Sequence, residues 1–225
     1  MDPAVALRHA SQLFKDGASL VDVGAESTRP HATPLSDDEE WARLEPVLGP
    51  LLAKYPGKIS LDSYHPATVR RALALGPVIV NDVTGFSNPD MLAVVRDLHP
   101  RVIISHLPGT DIQAAHQTAP VTRIEQVRDE LLAKARQLEM LGLPREHIIL
   151  DPGIGFGKSM ELNKQLLAFA EQVPGYQVMI GYSRKRFLGE HRMELAPNLE
   201  AAHVAIAHGA AYLRVHDVAG HMAHL

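Results

Sequence analysis

Two carboxylates and one amide, Asp62, Asn81 and Asp151, stand at or near the ends of three short apolar runs at 59–62, 78–82 and 148–151. That set suits the donor and acceptor edges of a heteroaromatic ring, since a carboxylate accepts from two ring N–H groups and an amide offers both roles. Each could instead be a helix cap or a satisfied core polar group, and for Asp62, ahead of Ser63 and Pro66, the cap is a serious alternative. Further along, Ser183-Arg184-Lys185 and Arg214-Val215-His216 place cations at the ends of two more runs. The chain carries 22 Lys and Arg against 26 Asp and Glu, a net charge of −4, so adjacent basic ends point to a local phosphate or carboxylate site. Salt bridges to the protein's own acids are the competing explanation. In a strand Arg214 and His216 share one face while Val215 takes the other, so the pair can converge on one anion. His106, at another run's end, is a candidate for lining the same pocket.

Other chemistries are excluded or weakened. Residues 151–159, DPGIGFGKS, suggest a phosphate loop but fail by one position, because Pro152 stands where the first glycine is needed, and Lys158 stands where a dinucleotide fingerprint needs glycine. The glycines serve better to let the backbone approach a flat ligand, with Asp151 at the strand tip and Phe156 shielding a face; an ordinary tight turn is the alternative. The chain has no cysteine, hence no disulfide or thiolate chemistry, as in many cytoplasmic proteins. His203, His208, His216, His221 and His224 crowd the C-terminal end, but their spacings match no zinc ligand set. Negative net charge gives no global field for nucleic acid or an anionic membrane. No apolar run approaches the roughly 20 residues that span a bilayer, and no leader is expected.

Seven apolar runs, 20–24, 59–62, 78–82, 102–106, 148–151, 178–183 and 212–216, must position these groups. Several are continuously apolar and β-branched, as strands covered on both faces should be. Between them lie helical patterns at 4–16, 66–75, 90–98, 121–141, 162–173 and 199–209, and Ser36 with Glu39 forms a capping box ahead of another. Strand alternating with helix predicts a parallel sheet, and polar residues at one end of every strand favour a (β/α) barrel with its chemistry on the C-terminal face over an open sheet. At 225 residues one domain, 1–225, is expected. The connections at 26–35 and 107–120 are long enough for substrate loops.

Six segments, DVGAESTRP at 22–30, ISLDSYHP at 59–66, VNDV at 80–83, LDPGIGFGK at 150–158, GYSRKRFLG at 181–189 and RVHDV at 214–218, together resemble the dihydropteroate synthase family of pterin-binding TIM barrels, in family order and almost end to end. The resemblance implies a transferase of folate biosynthesis that displaces diphosphate from 6-hydroxymethyl-7,8-dihydropterin diphosphate with the amine of p-aminobenzoate. It implies Asp62, Asn81, Asp151, Gly181 and Lys185 as the pterin site with Phe156 alongside, and Arg214 and His216 on the diphosphate. Thr28, Arg29 and Ser183 would lie near p-aminobenzoate. Asp62, Lys185, Arg214 and His216 would carry catalysis. Mg²⁺, a homodimer, cytoplasmic location and sulfonamide binding are further family expectations.

Ala25 and His31 replace usual glycines. The family's first strand and loop, which carry the Mg²⁺-binding asparagine, and most of its last helix have no counterpart here. Strands two to eight are therefore expected, with an open seam and weak turnover. A non-catalytic pterin-binding homologue and a pterin-dependent corrinoid methyltransferase domain are the alternatives.

Overall fold

A computed structural model describes residues 2–26, 33–109 and 119–225. Helix α1 (Pro3–Lys15) starts where Asp2 accepts from the Ala4 N–H at 2.9 Å and proline takes the first turn. Strand β1 (Val21–Gly24) follows, then α2 (Asp37–Lys54). The Ser36–Glu39 capping box is present, with four acidic residues in the first turn facing the positive end of the helix dipole. The alternation continues through β2 (Ile59–Asp62), α3 (Pro66–Leu75), β3 (Ile79–Asp82), α4 (Pro89–Leu98), β4 (Arg101–Ser105), α5 (Ile124–Met140) and β5 (Ile148–Asp151). It ends with α6 (Met160–Gln165), β6 (Gln177–Ile180), α7 (Leu195–Ala207), β7 (Tyr212–Leu213) and α8 (Val218–Met222).

All seven strands are parallel and pair in chain order, β1 to β7. Among the described residues β1 and β7 do not pair with each other. The sheet is nevertheless curled, because side chains from its two ends touch: Arg214, just past β7, reaches Asp22 on β1 at 3.2 Å. At the other end of the seam Met222 of α8 packs on Gly17, where an added Cβ would sit 2.9 Å from its Cγ. The expected open seam is thus bridged at both ends by side chains.

Strand alternation sorts the residues into two layers. Leu61, Val80, Val102, Ile104, Ile148, Leu150, Val178 and Ile180 join the buried layer shared with the helices. Ile79, Ile103, Ile149 and Met179, with Leu20 and Tyr212 against them, fill the inside of the curl. One step further along each strand, the same inward parity belongs to Asp22, Asn81, Asp151 and Gly181, and on β2 to Ser60 and Asp62. An apolar plug therefore closes the curl below, and a polar layer sits on it.

Some expected elements are shorter or shifted. The strands expected at 178–183 and 212–216 end at Ile180 and Leu213. The helix expected from 121 begins at Ile124, because Val121 bridges to Lys158. The helix at 162–173 is a six-residue α-helix followed by a 3-10 segment, Leu166–Gln172, kinked at Ala168. The one at 199–209 starts earlier, at Leu195.

Candidate functional site

A cavity of about 780 Å³ runs along the inside of the seam, with Asp22, Asp62, Gly181, Lys185, Arg214 and His216 among the residues that line it. Asn81 and Asp151, only 1% and 2% exposed, lie behind that lining. Arg214 joins the two layers, with Nη1 at 3.2 Å from Asp22 and Nη2 at 3.8 Å from Asp151. Gly181 makes this possible: a Cβ there would stand 3.3 Å from Arg214 Nε and 3.7 Å from Asp151 Oδ2. Arg214 thus pairs with the protein's own acids while it lines the cavity.

The groups differ in what they leave available. The Asp62 carboxylate makes no hydrogen bond among the described residues, and helix α3 is capped at His65 rather than by Asp62, so the cap alternative falls. Burial and the neighbouring carboxylate of Asp22 push Asp62 up to about 7, against the pull of Arg214. Asp151 Oδ1 accepts from the Gly153 N–H at 2.8 Å, which shapes the glycine loop, while Oδ2 faces Arg214. Asn81 gives its amide N–H groups to Asp22 at 3.1 and 3.3 Å, and its Oδ1 has no partner among the described residues.

Lys185 donates to the Ile154 carbonyl and lies 5.6 Å from the centre of the Phe156 ring. Burial lowers it to about 8, with Asp151 opposing. Arg214 is also penalised by burial, yet Asp22, Asp151 and Asp62 together hold it more firmly protonated than usual. The strand ends before Arg214, so strand alternation does not extend to His216: Val215 packs against the outer core and also borders the cavity beside Arg214 and His216, while the His216 N–H and Nδ1 lie 3.3 and 3.1 Å from Ser183 Oγ.

The glycine loop is tied down from behind. Lys158 donates to the carbonyls of His106 and Phe156 at 3.2 and 2.9 Å, and the Gly155 N–H donates to Asn163 at 2.7 Å. Gly153 has φ +65°, and a Cβ there would lie 2.1 Å from the His106 carbonyl oxygen, so only glycine fits.

One expectation is corrected. His106 does not line the cavity; it is buried against Glu130, with Nε2 at 3.0 Å, and burial drives it down to about 2, so it is neutral. Thr28 and Arg29 lie outside the described residues, as do parts of both long connections. No chemical role for Asp22 follows from its motif, and the signal for its place in this layer is the alternation in 20–24, which puts Leu20 and Asp22 on one parity.

Residues 1–216 match the family model described as pterin binding enzyme. The chain belongs to that family. It is 35% identical over 224 residues to the dihydropteroate synthase of Neisseria meningitidis serogroup C, covering 95% of this chain and 79% of that protein. Among solved structures it is similar to a Burkholderia cenocepacia dihydropteroate synthase complexed with 7,8-dihydropteroate, at 37% identity and TM-score 0.90, covering 99% of this chain and 85% of the other. A Xanthomonas albilineans dihydropteroate synthase with 4-aminobenzoic acid gives 36% identity and TM-score 0.88, covering 98% and 82%. The seven-stranded parallel sheet thus has the α/β architecture of that family's barrels.

Magnesium is implied by the family resemblance alone. No group of three or more His, Cys, Asp or Glu side chains that could hold a metal ion occurs among them. The carboxylates Asp22 and Asp151 are turned instead onto Arg214, Asn81 and a backbone N–H.

Proposed function

We propose that this chain performs the dihydropteroate synthase reaction, joining p-aminobenzoate to 6-hydroxymethyl-7,8-dihydropterin diphosphate with release of diphosphate. The observation that carries this reading is one polar layer in which Asn81 Oδ1 and the Asp62 carboxylate are left without hydrogen-bond partners among the described residues, beside Asp151 Oδ2, which Arg214 faces at 3.8 Å, and Lys185. A pterin edge carries ring N–H, amino and carbonyl groups, and such a layer answers both its donors and its acceptors.

In the reaction the bond from the pterin methylene carbon to the diphosphate oxygen breaks, and a bond from that carbon to the arylamine nitrogen forms. The amine loses one proton and diphosphate leaves with the bonding pair. As the bond stretches, positive charge spreads from the methylene into the ring, where Asp62 and Asp151 stabilise it. Arg214 and His216 receive the departing anion, and Lys185 with Phe156 holds the ring in place. Ser183, bonded to His216, would sit where the second substrate arrives. Orienting two substrates can contribute up to roughly 7–11 kcal/mol, and no covalent enzyme intermediate is required.

The substrates would be small molecules, and no helix among the described residues is long and apolar enough to cross a membrane. Isothermal calorimetry with the pterin diphosphate, followed by turnover with p-aminobenzoate, tests the proposal. Absence of pterin diphosphate binding to the folded chain would sink it.

A further inference from the structure

Asp22 is the one acid in the polar layer whose acceptor capacity is already spent inside the protein. Its Oδ1 accepts from the Ser60 hydroxyl and, at 3.3 Å, from Asn81 Nδ2. Its Oδ2 accepts from Asn81 at 3.1 Å and Arg214 at 3.2 Å. A β1 carboxylate engaged in this way from β2, β3 and the end of β7 has little left for a ligand. Its effect must pass through its neighbours.

Two consequences are specific. An amide can be turned by 180° with little change of shape, so whichever group Asn81 Nδ2 donates to decides which atom remains as acceptor. Asp22, an acceptor only, leaves Asn81 Oδ1 without a partner among the described residues. In addition, Asp22 is the negative charge that raises Asp62 most. The other charged groups facing Asp62 are Asp82 on β3, Glu40 on α2 and Arg214 after β7.

We propose that Asp22 is a positioning residue for the reaction: one carboxylate orients the Asn81 amide, tethers Arg214 at the cavity and sets the charge beside Asp62. The inference rests on the pterin-binding reading above. Burial and Asp22 together raise Asp62 to about 7, which supports the electrostatic part of the proposal. A carboxylate accepts two ring N–H groups best when ionised, so pterin affinity should rise with pH through that region.

The test is calorimetric affinity for a non-phosphorylated 6-hydroxymethylpterin across pH, for the unaltered chain and Asp22→Asn, with thermal melting as the fold control. Asp22→Asn removes the charge and presents a donor where two donors already converge. Affinity should fall about tenfold or more, the scale of one charge-assisted hydrogen bond, and the midpoint of its pH dependence should move down by about one pH unit. Full affinity with an unmoved midpoint overturns the proposal. Loss of affinity with an unmoved midpoint makes Asp22 a structural brace and also overturns it, as does a moved midpoint with full affinity.

If Asp22→Asn does not fold, Ser60→Ala carries the test, because it takes away one donor and leaves the charge. It should weaken pterin binding about threefold, and unchanged affinity overturns the proposal. Failure of the unaltered chain to bind any pterin defeats the functional reading itself, and the inference with it.

Discussion

Replacing Asp62 with asparagine should make the protein more stable while impairing its pterin site. In the unfolded chain this carboxyl has the ordinary value of 3.8, whereas in the fold burial and Asp22 raise it to about 7. Between those values the folded chain binds more protons than the unfolded one, so stability declines as pH rises. From pH 4.5 to pH 8 that single group removes about 3 kcal/mol, with the attraction of Arg214 already contained in the folded value. Asparagine has the same shape and no charge, so the variant escapes this loss. Urea unfolding of both proteins at the two pH values reads the difference directly, because every other carboxylate is common to both. The stability advantage of Asp62→Asn should widen by 1 to 3 kcal/mol, as a rough range, between pH 4.5 and pH 8. An advantage that stays constant or shrinks would refute the claim that the fold holds Asp62 against its charge. A widening accompanied by loss of pterin affinity would show stability given up for function.

Arg214→Ala should weaken binding of the diphosphate form about 10- to 100-fold by calorimetry, as loss of a charge-assisted contact does, and affect unphosphorylated pterin much less; equal losses for both would remove its assignment to the anion. Lys185 is lowered to about 8 by burial, so pterin affinity should fall as pH rises through that value, and Lys185→Met should abolish this limb of the titration while lowering affinity throughout. Gly153→Ala should cost about 3 kcal/mol or more in urea unfolding, because the φ of +65° and the His106 carbonyl 2.1 Å from the new Cβ leave it no place. A Gly153→Ala variant within 1 kcal/mol of the parent, roughly the reach of an ordinary surface substitution, would mean that the glycine loop is not built as described.

Most of the architecture was legible in the chain because it follows local periodicity. Strands 59–62 and 148–151 and helix 66–75 fall where pattern and end signals put them. The seventh strand was overestimated, since apolar alternation continues past Leu213 although only Tyr212 and Leu213 pair as strand. His106 misled for a related reason: polarity at a strand end does not say whether a side chain meets the cavity or a helix behind it, and Glu130 of α5 stands there.

Residue order alone determined the alternation of strand and helix, the polar ends of the strands and the set of Asp62, Asn81 and Asp151, while the company of Lys185 and Arg214 with that set came from the family resemblance. These follow from local repeats and motif order, which every short stretch of chain carries. Only the curl of the sheet brings Asp22 within reach of Arg214, 192 positions away, and only the resulting burial raises Asp62 and lowers Lys185. Charge coupling depends on distance and solvent exclusion, and neither exists until the two ends of the sheet meet.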